Sequence, residues 1–190
     1  LDMVRLIGCD LTDSEKKKVR LVLDKKETEF AEKYYHDVFP DKNRKVAAFH
    51  AGAGKIQNRW SADNFIKLML RFSKEYNSYL LLTSGPMDKE INNYIRSELK
   101  KYSVDCVVSP KTSIRNDAAI IKKTSLYISN DTGPMHVAAY VNANVIGLFG
   151  PTKGYEWGPV NEKGFCIQSK SDNINDITVD EVFSTAISKL

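Results

Sequence analysis

The residues best suited to chemistry lie in three short, glycine-containing stretches. The first is Ser129-Asn130-Asp131-Thr132-Gly133-Pro134-Met135-His136, which sets polar residues and a glycine between an apolar run and a helical pattern. Pro134 fits the first turn of that helix, where its missing N–H would find no partner anyway. With Thr132 or Gly133 as the cap, backbone N–H groups and the positive end of the helix dipole are free to meet an anion such as a phosphate. The same residues fit a plain helix cap by Asp131 or Thr132, worth about 1 kcal/mol, and the sequence leaves both readings open. His136 follows Thr132 by one turn, a position from which it can lean over the same spot or serve the fold alone. A helix N-terminus favours a neutral, hydrogen-bonding imidazole there over a cation.

The second stretch is His50-Ala51-Gly52-Ala53-Gly54-Lys55. Two glycines after an apolar run allow backbone to approach a phosphate closely, and Lys55 adds charge. The spacing is neither GxGxxG nor that of a P-loop, and an ordinary tight turn accounts for it equally well. No glycine fingerprint opens any helix, so a dinucleotide-dependent dehydrogenase is not expected. The third stretch is Phe149-Gly150-Pro151-Thr152, with Trp157-Gly158-Pro159 after it. Glycine and proline at this density describe a fixed irregular loop, either functional or closing a sheet edge.

The elements that must position these loops follow from periodicity. From Lys45 onward, apolar runs of strand length alternate with helical patterns. Strands are predicted at Val46–His50, Tyr79–Thr83, Val104–Val108, Leu126–Ser129, Val145–Phe149 and Gly164–Gln168. The intervening helices include one capped by Ser61, with Phe65, Leu68, Met69 and Phe72 on one face, and one from Met87 to Lys101. Ser113 caps another, a short one runs through Val137 and Val141, and Thr178–Lys189 is the last. Repeated β-then-α units with fully apolar strands imply an α/β fold: a Rossmann-like parallel sheet with helices on both faces. Such sheets bind ligands beyond the carboxyl ends of their strands, which is where all three loops fall. Residues 1–44 do not share the rhythm. Asp24 to Asp37 reads as a helix ending before Pro40, and the segment is expected to be a lead-in to a domain spanning 45–190.

Composition narrows the function classes. The chain has 190 residues, 42% hydrophobic and 27% charged, enough for one domain with a full core. No run approaches the length of a membrane-spanning helix, and the acid at Asp2 argues against a secretory signal. The net charge is +4, but the densest charged stretch, Glu15 to Lys33, mixes seven Lys/Arg with five Asp/Glu. Interleaved signs describe a solvated helix surface, so nucleic acid is not expected as a partner. Cys9, Cys106 and Cys166 show no paired spacing, which suits a reducing, cytoplasmic setting and neither a metal site nor a disulfide scaffold. Cys106 and Cys166 sit in apolar alternations and read as buried, inert thiols. The chain opens on Leu1 and is expected to be part of something longer.

Taken together, Asn130-Asp131-Thr132-Gly133-Pro134-Met135-His136-x-Ala138-Ala139 and Leu148-Phe149-Gly150-Pro151-Thr152 resemble the heptosyltransferase family of glycosyltransferases. His50-x-Gly52-Ala53 with Arg59-Trp60, then Gly85-Pro86 and Lys111-Thr112-Ser113, follow in the family's order over roughly residues 45 to 160. The resemblance implies one half of a GT-B enzyme, the half that holds a nucleotide-sugar donor such as ADP-heptose. Sugar would pass, with inversion and without a metal or cofactor, to a lipopolysaccharide core-type acceptor, with at most peripheral contact with the membrane. No catalytic residue is expected within this chain, because the family's acidic base lies in the other half. The chain alone should therefore bind but not transfer. By the resemblance, Asp131 contacts the donor sugar, Thr132 and Gly133 offer N–H groups to the diphosphate, and His136 supports them. Gly52 and Ala53 line the site, Thr112 lies beside the nucleobase, and Asp88 lies near the ribose. One position departs: Asn58 stands where the family commonly has a lysine beside the diphosphate. Lys55 or Arg59 would then meet the phosphates, with Arg59 preferred because its fork takes two oxygens. The alternatives are a GT-B-type nucleotide-sugar epimerase or hydrolase, and a non-catalytic nucleotide-binding module.

Overall fold

The apolar runs collect into one sheet because each is too hydrophobic to face water on either side. The computed structural model describes residues 12–190; Cys9 and the opening Leu1 to Arg5 lie outside the described residues. The strands are β1 (Val46–His50), β2 (Tyr79–Leu82), β3 (Val107–Val108), β4 (Leu126–Asn130), β5 (Val145–Phe149) and β6 (Phe165–Gln168). They pair in the order β3-β2-β1-β4-β5-β6, all parallel. The helices are α1 (Asp13–Lys16), α2 (Lys25–Val38), α3 (Ala62–Glu75), α4 (Lys89–Lys101), α5 (Ile114–Lys122), α6 (Gly133–Tyr140), α7 (Gly154–Trp157) and α8 (Val179–Lys189).

Strand residues alternate between two cores, as the two-residue period of a strand requires. Ala47, Phe49, Leu80, Leu82, Leu126, Ile128, Ile146 and Leu148 pack against Phe65, Leu68, Met69 and Phe72 of α3, Ile95 and Leu99 of α4, and Val182 of α8. On the other face, Ala48, Leu81, Tyr127 and Val145 meet Ala118 to Ile121 of α5 and Met135, Ala138 and Ala139 of α6. Both faces are covered, as the fully apolar strands predict.

Residues 12–44 also contribute to this core. Asp24 and Glu27 form a reciprocal capping box that starts α2, which ends before Pro40 as its sequence predicts. Ala31 and Phe39 are buried in the second core, and Glu27 pairs with Arg115 of α5.

Two boundaries differ from the periodicity. The helix expected from Met87 begins at Lys89, leaving Met87 77% exposed. The strand expected over Val104–Val108 is only Val107–Val108. Ser103 takes a positive φ of 57°, and Val104 N–H donates back to Leu99 O at 3.2 Å. Val104 thus turns into the core as part of the α4 terminus before the chain reaches the sheet edge.

Candidate functional site

The strand order reverses between β1 and β4, so the loop leaving β1 and the turn leaving β4 diverge around a crevice at the carboxyl edge. Asn130 fixes the two sides to each other. It is fully buried; its Oδ1 accepts Trp60 N–H at 3.1 Å, and its Nδ2 donates to Ala51 O at 2.9 Å and Gly52 O at 3.3 Å. Trp60 is buried too and anchors the far end of the loop by donating Nε1–H to Ile177 O at 2.9 Å.

The turn after β4 leads into α6, whose N-terminus faces the crevice. Thr132 occupies the cap position in extended backbone, yet its side chain makes no capping hydrogen bond. Asp131 does not cap either; its Oδ2 accepts from Asn58 Nδ2 at 3.0 Å. A Cβ built on Gly133 would meet nothing within 4 Å. The protein therefore leaves open space ahead of N–H groups that it does not satisfy with side chains. Between the two readings of this loop, the geometry removes the plain side-chain cap.

The loop after β1 carries the remaining groups. Lys55 and Arg59 are exposed. Arg59 Nε donates to Ala53 O at 2.7 Å, which holds the guanidinium against its own loop and leaves the terminal nitrogens available. Gly54, like Gly133, has nothing within 4 Å of a Cβ position. Gly52 is different: a Cβ there would lie 2.0 Å from Asp88 Oδ1. Its lack of a side chain admits a carboxylate of the protein.

That carboxylate is turned inward. Asp88 is 9% exposed, and its Oδ2 accepts Gly85 N–H at 2.6 Å and lies 3.6 Å from His50 Nε2. His50 Nδ1 is 3.0 Å from Thr83 Oγ1, itself 2.9 Å from the Tyr127 hydroxyl. Burial holds His50 below the ordinary histidine range, against the opposing pull of the Asp88 carboxylate. This chain of polar groups braces the ends of β1, β2 and β4 beneath the crevice. Asp88, expected beside a ribose, has its carboxylate engaged with the protein.

On the other side, Gln168 ties down the loop after β5: its Nε2 donates to Gly150 O at 2.7 Å, and its Oε1 accepts Gly154 N–H at 2.8 Å. This leaves Thr152 within reach of Asn58, whose Nδ2 donates to its Oγ1 at 3.2 Å. Thr112 lies apart, in the loop before α5, where its Oγ1 accepts from Asn116 Nδ2 at 2.9 Å. His136 is half-buried on α6. The structure therefore brings Gly52, Ala53, Arg59, Asp131, Thr132 and Gly133 around one crevice and leaves Thr112 outside that cluster. Sequence reasoning missed Asn58 and Thr152 as partners of Asp131, and Asn130 as the anchor. The asparagine between a buried strand and Asp131 was the available signal for the last.

Cys106 and Cys166 are half-buried and free, with burial pushing their thiols up to about 12 and about 11 respectively. Both are less enclosed than their apolar surroundings predict. Among the described residues, no cluster of His, Cys, Asp and Glu is arranged to hold a metal ion, and no helix is long and apolar enough to cross a membrane. Hollows of ≈ 520 and ≈ 680 Å³ lie at the opposite edge, before the strands begin, lined in part by Lys45, Lys122, Lys123 and Lys163. They receive no residue from the loops described above.

The fold is an α/β domain of the Rossmann-like kind, an all-parallel six-stranded sheet with helices on both faces. Over residues 6–184 the chain matches "Glycosyltransferase family 9 (heptosyltransferase)", and it belongs to that family. It is similar to lipooligosaccharide heptosyltransferase 2 of Campylobacter jejuni, at 30% identity over 132 residues, covering 68% of this chain and 41% of that protein. The chain thus spans about two-fifths of the length of that curated relative. A family 9 glycosyl transferase structure from Veillonella parvula superposes with a TM-score of 0.84 at 19% identity, covering 97% of this chain and 57% of the other. For ADP-heptose LPS heptosyltransferase II of E. coli the TM-score is 0.75 at 20% identity, covering 90% and 53%.

Proposed function

We propose that residues 45–190 form the donor-binding half of a glycosyltransferase that moves a heptose-type sugar from a nucleoside diphosphate to a lipopolysaccharide-type acceptor. The observation that carries this reading is the uncapped N-terminus of α6 at the strand-order reversal, with the Asp131 carboxylate beside it. Family membership sets transfer ahead of the epimerase, hydrolase and binding-module alternatives.

In the reaction, an acceptor hydroxyl attacks the anomeric carbon. The bond from that carbon to the phosphate oxygen breaks, and a nucleoside diphosphate leaves with the electron pair. Negative charge grows on the diphosphate as the bond breaks, so N–H groups at Thr132 and Gly133 stabilise the transition state more than the ground state. Arg59, with Lys55 nearby, meets the phosphates. Asp131 accepts from sugar hydroxyls, His136 supports the turn, and Thr112, outside the phosphate cluster but on the same edge of the sheet, borders the base. Asp88 acts by bracing the Gly52–Ala53 backbone. The acceptor's proton goes to a base outside the donor-side residues, supplied by the other half of the fold. The transfer is inverting and needs no metal, and the setting is cytoplasmic.

Calorimetry with ADP and ADP-heptose on the 190-residue chain tests this. Binding of both, tighter for ADP-heptose, with no transfer to a lipopolysaccharide core acceptor, is the expected result. General-base assistance alone is worth about 10²–10⁴-fold in rate, so efficient transfer by this chain would refute the donor-half reading.

A further inference from the structure

Asn58 reaches two other loops with one amide nitrogen. It closes the single turn Ile56–Asn58 and is only 6% exposed. Its Nδ2 donates to Asp131 Oδ2 at 3.0 Å and to Thr152 Oγ1 at 3.2 Å. Its Oδ1 is buried without a partner among the described residues. Rotating the amide would set that oxygen against the Asp131 carboxylate, so the orientation is dictated by charge. A buried acceptor left unsatisfied costs stability. The two donated bonds offset that cost, and both are spent on tying Asp131 to Thr152 across two loops.

We infer that Asn58 is a positioning and specificity residue, which sets Asp131 and Thr152 as a matched acceptor and donor for two neighbouring hydroxyls of the donor sugar. The inference rests on the nucleotide-sugar reading of the crevice. With Oδ2 engaged by Asn58, Asp131 has Oδ1 left to offer, which as a carboxylate oxygen only accepts. Thr152 Oγ1 accepts the second amide hydrogen, so its own O–H points elsewhere and donates. Both residues are half-buried, and neither makes another side-chain hydrogen bond among the described residues. One sugar hydroxyl donates to Asp131 while its neighbour accepts from Thr152. A lysine at this position would aim a cation at the same carboxylate and strengthen phosphate binding. The neutral amide instead fixes two directions, which discriminates among sugars and adds nothing to the grip on the diphosphate.

The test is calorimetry with ADP and ADP-heptose on the unaltered chain, Asn58→Leu and Asn58→Asp, with a melting curve for each. Asn58→Leu keeps the volume and removes the amide. It should leave ADP affinity within twofold and weaken ADP-heptose by about 10-fold. Asn58→Asp has the same shape but no hydrogen to give, and it should lose the same preference for the sugar nucleotide. If both variants keep the unaltered chain's preference for ADP-heptose, the inference is overturned and the donor reading stands. A lowered melting temperature with equal losses for both ligands marks a structural role and also overturns it. If the unaltered chain itself shows no preference for ADP-heptose over ADP, the donor reading fails and this inference falls with it.

Discussion

Helices α5 and α6 begin at the same edge of the sheet and are finished in opposite ways. At α5, Ser113 Oγ accepts Asn116 N–H at 3.2 Å, and Asp117 places a carboxylate in the first turn. Burial pushes Asp117 up to about 6. At α6, Thr132 makes no side-chain cap, the first turn holds no acid, and Gly133 faces open space. The first helix meets its unpaired N–H groups and its dipole from within the protein. The second leaves both unmet by any side chain among the described residues. Two helix starts with a hydroxyl residue at the cap, Ser113 and Thr132, are thus closed by a side chain in one case and left open in the other.

The sharpest way to break this contrast is to give α6 the internal anion that α5 already has. Gly133→Asp should hold or raise stability, since a carboxylate at a helix N-terminus contributes about 0.3–1 kcal/mol. It should also weaken ADP binding by roughly 100-fold or more, the equivalent of about 2.7 kcal/mol. An ADP dissociation constant unchanged by this substitution would place the phosphates elsewhere.

Next in size is the cation beside α6. A charge-assisted hydrogen bond is worth about 1.5–3 kcal/mol, so Arg59→Ala should weaken ADP binding by roughly 10- to 150-fold and flatten its salt dependence. Lys55→Ala should do less, because Lys55 is an exposed point charge with no hydrogen bond or ion pair to orient it among the described residues. Titrations at two salt concentrations separate the two. Losses under twofold for both would mean the 50–60 loop lies away from the phosphates.

The smallest effect is also the most direct reading of the caps themselves. Ser113→Ala should cost about 1 kcal/mol in urea unfolding and leave ADP binding untouched. Thr132→Ala removes no capping bond and should leave the unfolding midpoint where it is. Equal midpoint shifts in the two variants would erase the distinction between the helices.

Much of this organisation is legible along the chain. The apolar runs at Val46, Tyr79, Leu126 and Val145 announce a parallel sheet because a strand buried on both faces has no polar side to show. Ser61, Ser113 and Thr178 mark helix starts because their caps reach only three residues ahead. Even the crevice is anticipated, since every strand-to-helix loop of such a sheet opens on one edge. The short β3 was less legible, because the bend at Ser103 depends on how α4 ends and not on the apolar run that follows it.

Other properties depended on residues distant in sequence. Asp88 reads as a free acid after Gly85-Pro86, yet its carboxylate fits over Gly52 and beside His50, on a loop of a different strand. Asn58 reads as an absent cation, yet it joins Asp131, 73 residues on, to Thr152, 94 residues on. The sequence by itself determined the sheet, its coverage on both faces and the edge where the strand-to-helix loops gather, because periodicity and capping act between near neighbours. Only the tertiary structure decided which polar groups satisfy one another and which are left facing the crevice. Hydrogen bonds between loops form only once the strand order has brought their ends together.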